Sequence, residues 1–439
     1  MAAGTPFEGL GALRRLEALS GPVARPVRAT VRLPPLPGEP DYSVYVSAIG
    51  DPTVFRSRGQ GRIDGLDGAG GGTDPERARL ISLAEALERY TNSLFQPELV
   101  RWATAEELGD EAVDLDALPR CSDTELAQDE AWLLPPDKSL PQRWVRGWSL
   151  TRSRPVWVPV AYVWLFTTPQ ALGERTTHPI STGCAVHSDV HQALVNGICE
   201  VVERDAIALT WLQRLRLPEI DVSAAPALAE QRARLEDGFV RYRFYDATSD
   251  LGVPVVYAVV LSDHNPELGQ LVMCASGPDP VDVIRKIYRE AASSRIALQS
   301  GREAPDDPRD FTDVMHGAVH MGRADRRGAF DFLLAGPRPV RRPADLPTLT
   351  GNGPRERLDQ LVERLRRAGA EAIAVDLTTS ECRAVGFRSV RVLVPQLMPL
   401  SFVHRSRYLA HPRLYRAPLA MGLESRPESA LNPDPQPFA

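Results

Sequence analysis

The stretch Ser181–Trp211, STGCAVHSDVHQALVNGICEVVERDAIALTW, reads as a tight loop feeding one long helix, and the rest of the chain is organised around it. Ser181, Thr182 and Gly183 supply the turn, and Asp189 stands where an N-cap carboxylate accepts from the first free backbone N–H groups. Ala193, Leu194, Ile198, Val201, Ala208 and Leu209 then recur at helical spacing as an apolar stripe. Glu200 and Glu203 lie three apart, so both carboxylates leave one side of the helix, with Asn196 a turn earlier and Arg204 next in line. Burying two carboxylates on a largely apolar helix is costly unless a cation offsets them. A solvated glutamate face has the same spacing, so this stretch alone does not choose between the two.

An earlier stretch does. Ser82–Arg89 (SLAEALER) repeats the grammar of Gly197–Arg204 (GICEVVER): two glutamates at i and i+3, then an arginine. Four carboxylates on two helix faces suit hard divalent cations such as Mg²⁺, which take oxygen ligands and share them with substrate phosphates. The flanking arginines then meet phosphate oxygens as planar forks. One such copy is common in ordinary helices; two in apolar settings carry more weight.

The 439 residues allow one large domain or two to three smaller ones, and 43% hydrophobic content supplies a sizeable core. Lys and Arg number 51 against 57 Asp and Glu, with no basic block, which argues against a nucleic-acid surface. Five scattered cysteines, with no C-x-x-C pair, argue against structural zinc and a secreted disulfide framework. With no membrane-length apolar run and no signal-peptide core, the expected location is the cytoplasm.

Residues 1–58 are expected to form a short strand-containing N-terminal segment, with strands at Arg28–Arg32 and Ser43–Ile49. Gly59–Gly72 (GQGRIDGLDGAGGG) reads as a glycine-rich turn or phosphate-facing loop, and Thr73 and Glu76 have capping-box spacing around Pro75. No G-K-[ST] follows, so it is not a Walker loop. Residues 99–150 read as connecting structure. Strands are expected at Pro155–Phe166, Val255–Leu261, Gln270–Ala275, Glu371–Val375 and Val390–Val394, and helices at Val281–Leu298 and Arg355–Ala368. The order of elements points to an α/β (α+β) fold of mixed sheets packed with helices. The chain finishes on alternating prolines, Asn432-Pro-Asp-Pro-Gln-Pro-Phe-Ala439, a pattern that favours a stiff extended conformation.

Taken together these residues resemble the YcaO family, from about Gly59 to Ala439. SLAEALER (Ser82–Arg89), STGCAVHS (Ser181–Ser188), EVVERD (Glu200–Asp205), REAASSR (Arg289–Arg295) and the terminal PDPQP (Pro433–Pro437) carry the resemblance, in the right order. It implies one YcaO domain over 59–439, the 433–439 tail included, and an ATP and Mg²⁺ site between glutamate-bearing helices. Position by position, Glu85, Glu88, Glu200 and Glu203 would hold magnesium, and Ser82, Ser188, Arg204, Glu290 and Arg295 would contact the nucleotide. The chain departs from the family where a lysine is common and it reads Gly70-Gly71-Gly72, where an asparagine is common and it has Ser188, and where Ser293 replaces a glutamine.

Within the family, Glu203-Arg204-Asp205 with Trp211 and the proline-alternating end look most like azoline-forming cyclodehydratases of ribosomally made peptides. The implied reaction closes a Cys, Ser or Thr side chain onto the preceding amide carbonyl, with ATP phosphorylating the amide oxygen. The tail is then expected to bring Pro437 and the Ala439 carboxylate to the substrate amide. The implied partners are a ribosomal precursor peptide, a separate leader-binding protein related to ubiquitin-activating enzymes, and a second copy in a homodimer. Two other readings remain at this stage: the same amide activation used to form a thioamide or amidine, and a non-catalytic scaffold that binds peptide or partner.

Overall fold

The computed structural model describes residues 9–23, 25–35, 37–39, 42–50, 67–128, 132–236, 239–299, 301 and 303–438. Along the chain come strands β1 (Val27–Leu33), β2 (Ser43–Ile49) and β3 (Gly68–Gly72), helix α1 (Pro75–Ser93), then β4 (Val100–Ala103), β5 (Gln142–Ser149), β6 (Arg154–Pro159) and β7 (Cys184–His187). Helix α2 (Val190–Leu212) leads to β8 (Glu219–Ile220), β9 (Arg241–Asp246), β10 (Val255–Leu261) and β11 (Gln270–Ser276). Helices α3 (Pro280–Leu298) and α4 (Val314–Gly322), strand β12 (Val340–Arg341), helix α5 (Pro354–Arg367) and strands β13 (Ile373–Asp376) and β14 (Arg388–Leu393) follow.

The strands form three sheets: β1-β2-β3, β11-β10-β9-β8-β12, and β4-β5-β13-β14-β7 with β6 on the side of β5. Pairing is antiparallel except between β8 and β12. The expected mixture of sheets and helices is therefore an α+β arrangement. The expected boundary at 58/59 falls between β2 and β3, two strands of one sheet, so residues on both sides of it build a single layer.

The three long helices that matter below start in the same way. Asp74, Asp189 and Asp279 are their N-caps, each carboxylate accepting from two backbone N–H groups, and Pro75 and Pro280 occupy first-turn positions whose N–H would be unpaired anyway. Asp189 is the cap expected from the sequence. At α1 the cap is Asp74 and not Thr73, which moves the start of the helix by one residue.

β10 and β11 are buried along their whole length, and their side chains alternate between two cores. Val255, Tyr257, Val259, Val272 and Cys274 join the apolar side chains of α2. Val256, Ala258, Val260, Leu271, Met273 and Ala275 join those of α3. A strand pair with both faces committed has little freedom to slip register, because a one-residue shift exchanges the two cores. That sandwich fixes α2 relative to α3.

β3 does the same for α1 and α3 by a different means. A Cβ at Gly68 or Gly70 would collide with the backbone of α1 at Ala86 or Ala78, and one at Gly71 would lie 2.9 Å from the Arg289 carbonyl oxygen on α3. Only a strand without side chains lets two helix backbones come this close on its two faces. The sequence reading of Gly59–Gly72 as a loop is corrected for its described part: Gly68–Gly72 is a paired strand, and residues 59–66 lie outside the described residues.

Candidate active site

Helices α1, α2 and α3 converge on a cavity of ≈ 490 Å³ whose walls carry, among the described residues, seven carboxylates and four cationic side chains. Glu85 and Glu88 come from α1, Glu200 and Glu203 from α2, and Glu290 and Lys286 from α3. The two E-x-x-E-R stretches, far apart in sequence, thus face one space.

The glutamates are braced from behind by backbone donors. Glu85 accepts from the Ala69 N–H at 3.0 Å, Glu200 from the Gly183 N–H at 3.2 Å, and Glu203 from the Ser276 N–H at 3.2 Å. Gly183 holds this position with φ +83°, and a Cβ there would collide with the Val392 carbonyl oxygen. Cations complete the bracing. Arg89 reaches Glu85 at 3.0 Å and Glu88 at 3.3 Å, and Arg204 lies 3.4 Å from Glu200 and 3.5 Å from Glu203. Lys286 donates to Glu203 at 3.3 Å.

The carboxylates outnumber their partners, and the acid–base balance registers it. Burial pushes the Glu88 carboxyl up to about 8; Arg89 opposes the shift, and Glu200 and Glu85 add to it. Burial likewise raises Glu290. Burial alone would lower the Lys286 ammonium, but Glu203, Glu290 and Glu200 lift it above its ordinary value. The Cys184 and Cys199 thiols are held protonated by burial, at about 11 and about 12, as expected of packing residues and not of nucleophiles.

An excess of convergent carboxylate oxygens is the donor set of a hard cation. Among the described residues no three such groups stand close enough to hold an ion by themselves. Pairs of glutamates are nevertheless a fit for Mg²⁺, which is commonly held by one or two carboxylates together with phosphate oxygens and water.

The tail reaches this cavity. The Trp211 indole N–H donates to the Asp434 carbonyl at 3.1 Å, the Asn432 N–H donates to Leu212 at 2.8 Å, and Gly317 on α4 lets the Gln436 carbonyl pass against its backbone. Phe438 lies in the wall of the cavity, its ring centre 4.6 Å from the Arg204 guanidinium carbon. Pro437 is buried beside it but is not part of that wall, and Ala439 lies outside the described residues.

Three expected nucleotide contacts lie elsewhere. Ser82 is fully buried, its hydroxyl bonded to Ser47 and to the Arg79 carbonyl at 2.7 Å each, so it ties α1 to β2. Ser188 sits half-buried in the turn between β7 and the Asp189 cap, outside the cavity wall. Arg295 is fully buried and makes a bidentate pair with Glu39 at 2.5 and 2.6 Å, on the side of α3 away from the cavity. The sequence showed the arginine but not its distant carboxylate. Conversely, the cavity holds Lys286 and Phe438, which the sequence does not single out. Lys286 precedes Glu290 by one helical turn, a spacing that shares a face, and it supplies a cation in the cavity that Gly70-Gly71-Gly72 cannot.

The YcaO cyclodehydratase family, described as ATP- and Mg²⁺-binding, matches residues 69–398. This chain belongs to the YcaO family. A Rhizobium leguminosarum bv. trifolii protein described as uncharacterized, in the tfuA 3′ region, is 29% identical over 279 residues, covering 59% of this chain and 63% of that one. An uncharacterized Methanothermobacter thermautotrophicus protein is 27% identical over 342 residues, 75% of this chain and 81% of the other. Among solved structures, a heterocyclase in complex with substrate and cofactor superposes with TM-score 0.80 at 23% identity, over 99% of this chain but 57% of its own length. The heterocyclase TruD gives 0.66 at 23% identity, over 82% of this chain and 51% of its own. YcaO from Methanopyrus kandleri bound with AMPPCP and Mg²⁺ gives 0.61 at 21% identity, over 90% and 91%. These structural likenesses speak for the fold.

Proposed function

We propose that this chain is an ATP- and Mg²⁺-dependent cyclodehydratase that closes Cys, Ser or Thr residues of a ribosomal precursor peptide into thiazolines or oxazolines. The observation that carries the reading is the convergence of Glu85, Glu88, Glu200 and Glu203 on one cavity with Arg89, Arg204 and Lys286. Bound ATP supplies the phosphoryl group that turns a poorly leaving amide oxygen into phosphate.

The chain's own residues position and neutralise, which is what phosphoryl transfer asks of a protein. Glu85, Glu88, Glu200 and Glu203 are the residues that would hold Mg²⁺, which would neutralise phosphate charge. Arg89, Arg204 and Lys286, already fixed by these glutamates, offset charge on the phosphates. Glu290 orients Lys286 from the same helix face. Phe438 stacks over Arg204 and so helps to hold its guanidinium in the wall of the cavity. Among the described residues no side chain in the cavity wall is poised as a protein nucleophile, which suits a reaction whose nucleophile comes from the peptide.

The peptide is expected to arrive with a separate leader-binding protein related to ubiquitin-activating enzymes, and a homodimer is compatible with the reading. A structural relative taken from the E. coli microcin synthetase McbBCD complex supports the need for partner chains. Among the described residues no helix is long and apolar enough to cross a membrane, in keeping with a cytoplasmic setting.

The test mixes the protein with ATP, Mg²⁺, a candidate precursor peptide and its partner, and follows phosphate release and peptide mass. Loss of one water per modified residue, abolished by Glu203→Ala, is expected. An exchange of oxygen for sulfur would replace cyclodehydration by thioamide formation. Unchanged peptide and unused ATP, with all components folded, would reject an enzymatic role.

A further inference from the structure

The tail lies along one face of α2. Arg204, Ala208, Trp211 and Leu212, at i, i+4, i+7 and i+8, are the positions that meet it. Leu212 accepts from the Asn432 N–H, and Trp211 donates to the Asp434 carbonyl. Ala208 lines a narrow cavity with Asp434, Pro435 and Gln436, and Arg204 takes the Phe438 ring. The tail therefore runs antiparallel to α2, from the C-terminal end of the helix towards the carboxylate-lined cavity. Asn432 is its anchor: the residue is fully buried, its carbonyl accepts from Arg407 at 2.8 Å and its side-chain oxygen from Arg214 at 3.2 Å.

Beyond the anchor the tail needs few hydrogen bonds from its surroundings. Pro433, Pro435 and Pro437 carry no N–H, and the Asp434 and Phe438 N–H groups donate to the tail's own Asn432 and Gln436 side chains, at 3.2 and 3.3 Å. Shape, more than hydrogen bonding, directs the segment from Pro435 onward, and α4 supplies it. Gly317 lies inside that helix, buried and with φ outside the left-handed region, so its conformation does not call for glycine. Glycine is unfavourable in a helix relative to alanine. What calls for it is the tail: the three atoms nearest to a Cβ at 317 are all backbone atoms of Gln436, and that Cβ would collide with the carbonyl oxygen.

We infer that Gly317 is a positioning residue: the gap it leaves in α4 seats the Gln436 carbonyl and sets the course of the two residues that follow, so that Phe438 arrives on Arg204. Gly317 touches neither the carboxylates nor the cations of the cavity and acts on them through the tail. Its effect on turnover rests on the function proposed above, whereas the seat itself is a matter of packing. A methyl group at 317 moves the carbonyl outward, and a displacement of about 1 Å at the reacting end is enough to slow a reaction that depends on positioning.

The test places Gly317→Ala in the full chain and in a variant lacking residues 435–439. The substitution should lower the melting temperature of the full chain and leave that of the shortened chain unchanged or higher, since alanine favours the helix once the colliding carbonyl is gone. In the assay of phosphate release and peptide mass at saturating ATP, Gly317→Ala in the full chain should lower turnover about tenfold, as Phe438→Ala does, and the two substitutions together should lose no more than either alone. An equal fall in melting temperature in both chains would assign Gly317 to the packing of α4 itself. Parent-like turnover, or losses that multiply in the double variant, would mean that it does not act through Phe438. Each of these results overturns the inference. The expected melting pattern in a protein that uses neither ATP nor peptide would uphold the seat and reject the enzymatic function.

Discussion

The ring of Phe438 lies 4.6 Å from the guanidinium carbon of Arg204, so the end of the described chain is joined to the central helix at the wall of the nucleotide-sized cavity. A desolvated cation–π contact is worth up to about 2 kcal/mol. Phe438→Ala should therefore lower peptide turnover about tenfold with the fold intact, and Phe438→Trp should restore most of it. Phosphate release with saturating ATP measures both. Equal turnover in all three proteins would remove the tail from the mechanism.

Glu203 is the most enclosed of the four glutamates, with a side chain 4% exposed, and it pairs with Lys286 and Arg204. Glu203→Ala leaves both cations without that partner, at a cost of about 3 kcal/mol, nearer the low end because Lys286 is 30% exposed. Adding Lys286→Met should return much of the stability while leaving Mg²⁺-dependent nucleotide binding lost. Denaturant unfolding and calorimetry on the two variants separate the structural role from the ligand role.

The Arg295 guanidinium donates two hydrogen bonds to the Glu39 carboxylate, and both side chains are buried. Glu39→Gln should destabilise the protein by about 3 kcal/mol, visible as a lower melting temperature. Nucleotide affinity of the folded fraction should not change. A selective loss of nucleotide affinity would return Arg295 to the phosphate contacts.

Two buried histidines contribute to the pH dependence of stability. Burial lowers His178 and His404 to about 4, with Arg407 adding to the shift at His404. The unfolded chain binds these protons near the ordinary histidine value and the folded chain does not. At these two sites, between about pH 6.5 and about pH 4, the unfolded state therefore binds more protons, and their contribution to stability falls as pH falls. Glu88, raised to about 8, and Glu290 give the opposite slope over much of this window, so the histidine contribution is read as the difference in thermal melts between the parent and the His178→Asn, His404→Asn variant, whose stability should fall less with falling pH.

Much of this fold is legible in the sequence where burial is one-sided or complete and the residues are β-branched or helical in pattern. Val255–Leu261 and Ser43–Ile49 match their strands, and α3 and α5 start one residue from the expected positions. β5 is not legible as a strand, because Arg143, Arg146 and Gly147 break both the apolar run and the alternation, and Arg143 is paid for by a buried pair with Glu174. β3 is hidden because glycines look like a turn until two helices are known to need the space. At the site, the four glutamates are readable from their repeat. Ser82 and Arg295 are not placed correctly, since spacing gives a helix face without saying what covers it.

The braces behind the α2 glutamates come from different kinds of element. The Ser276 amide that holds Glu203 ends β11, which is buried on both faces, whereas the Gly183 amide that holds Glu200 sits in a left-handed turn before β7. In hydrogen exchange the first should be released only with the whole domain and the second by a local opening. One carboxylate of the α2 pair is thus anchored to a strand end and the other to a turn. The helix holds the two backbone positions, so adjustment to a ligand falls to the side chains and their separate anchors.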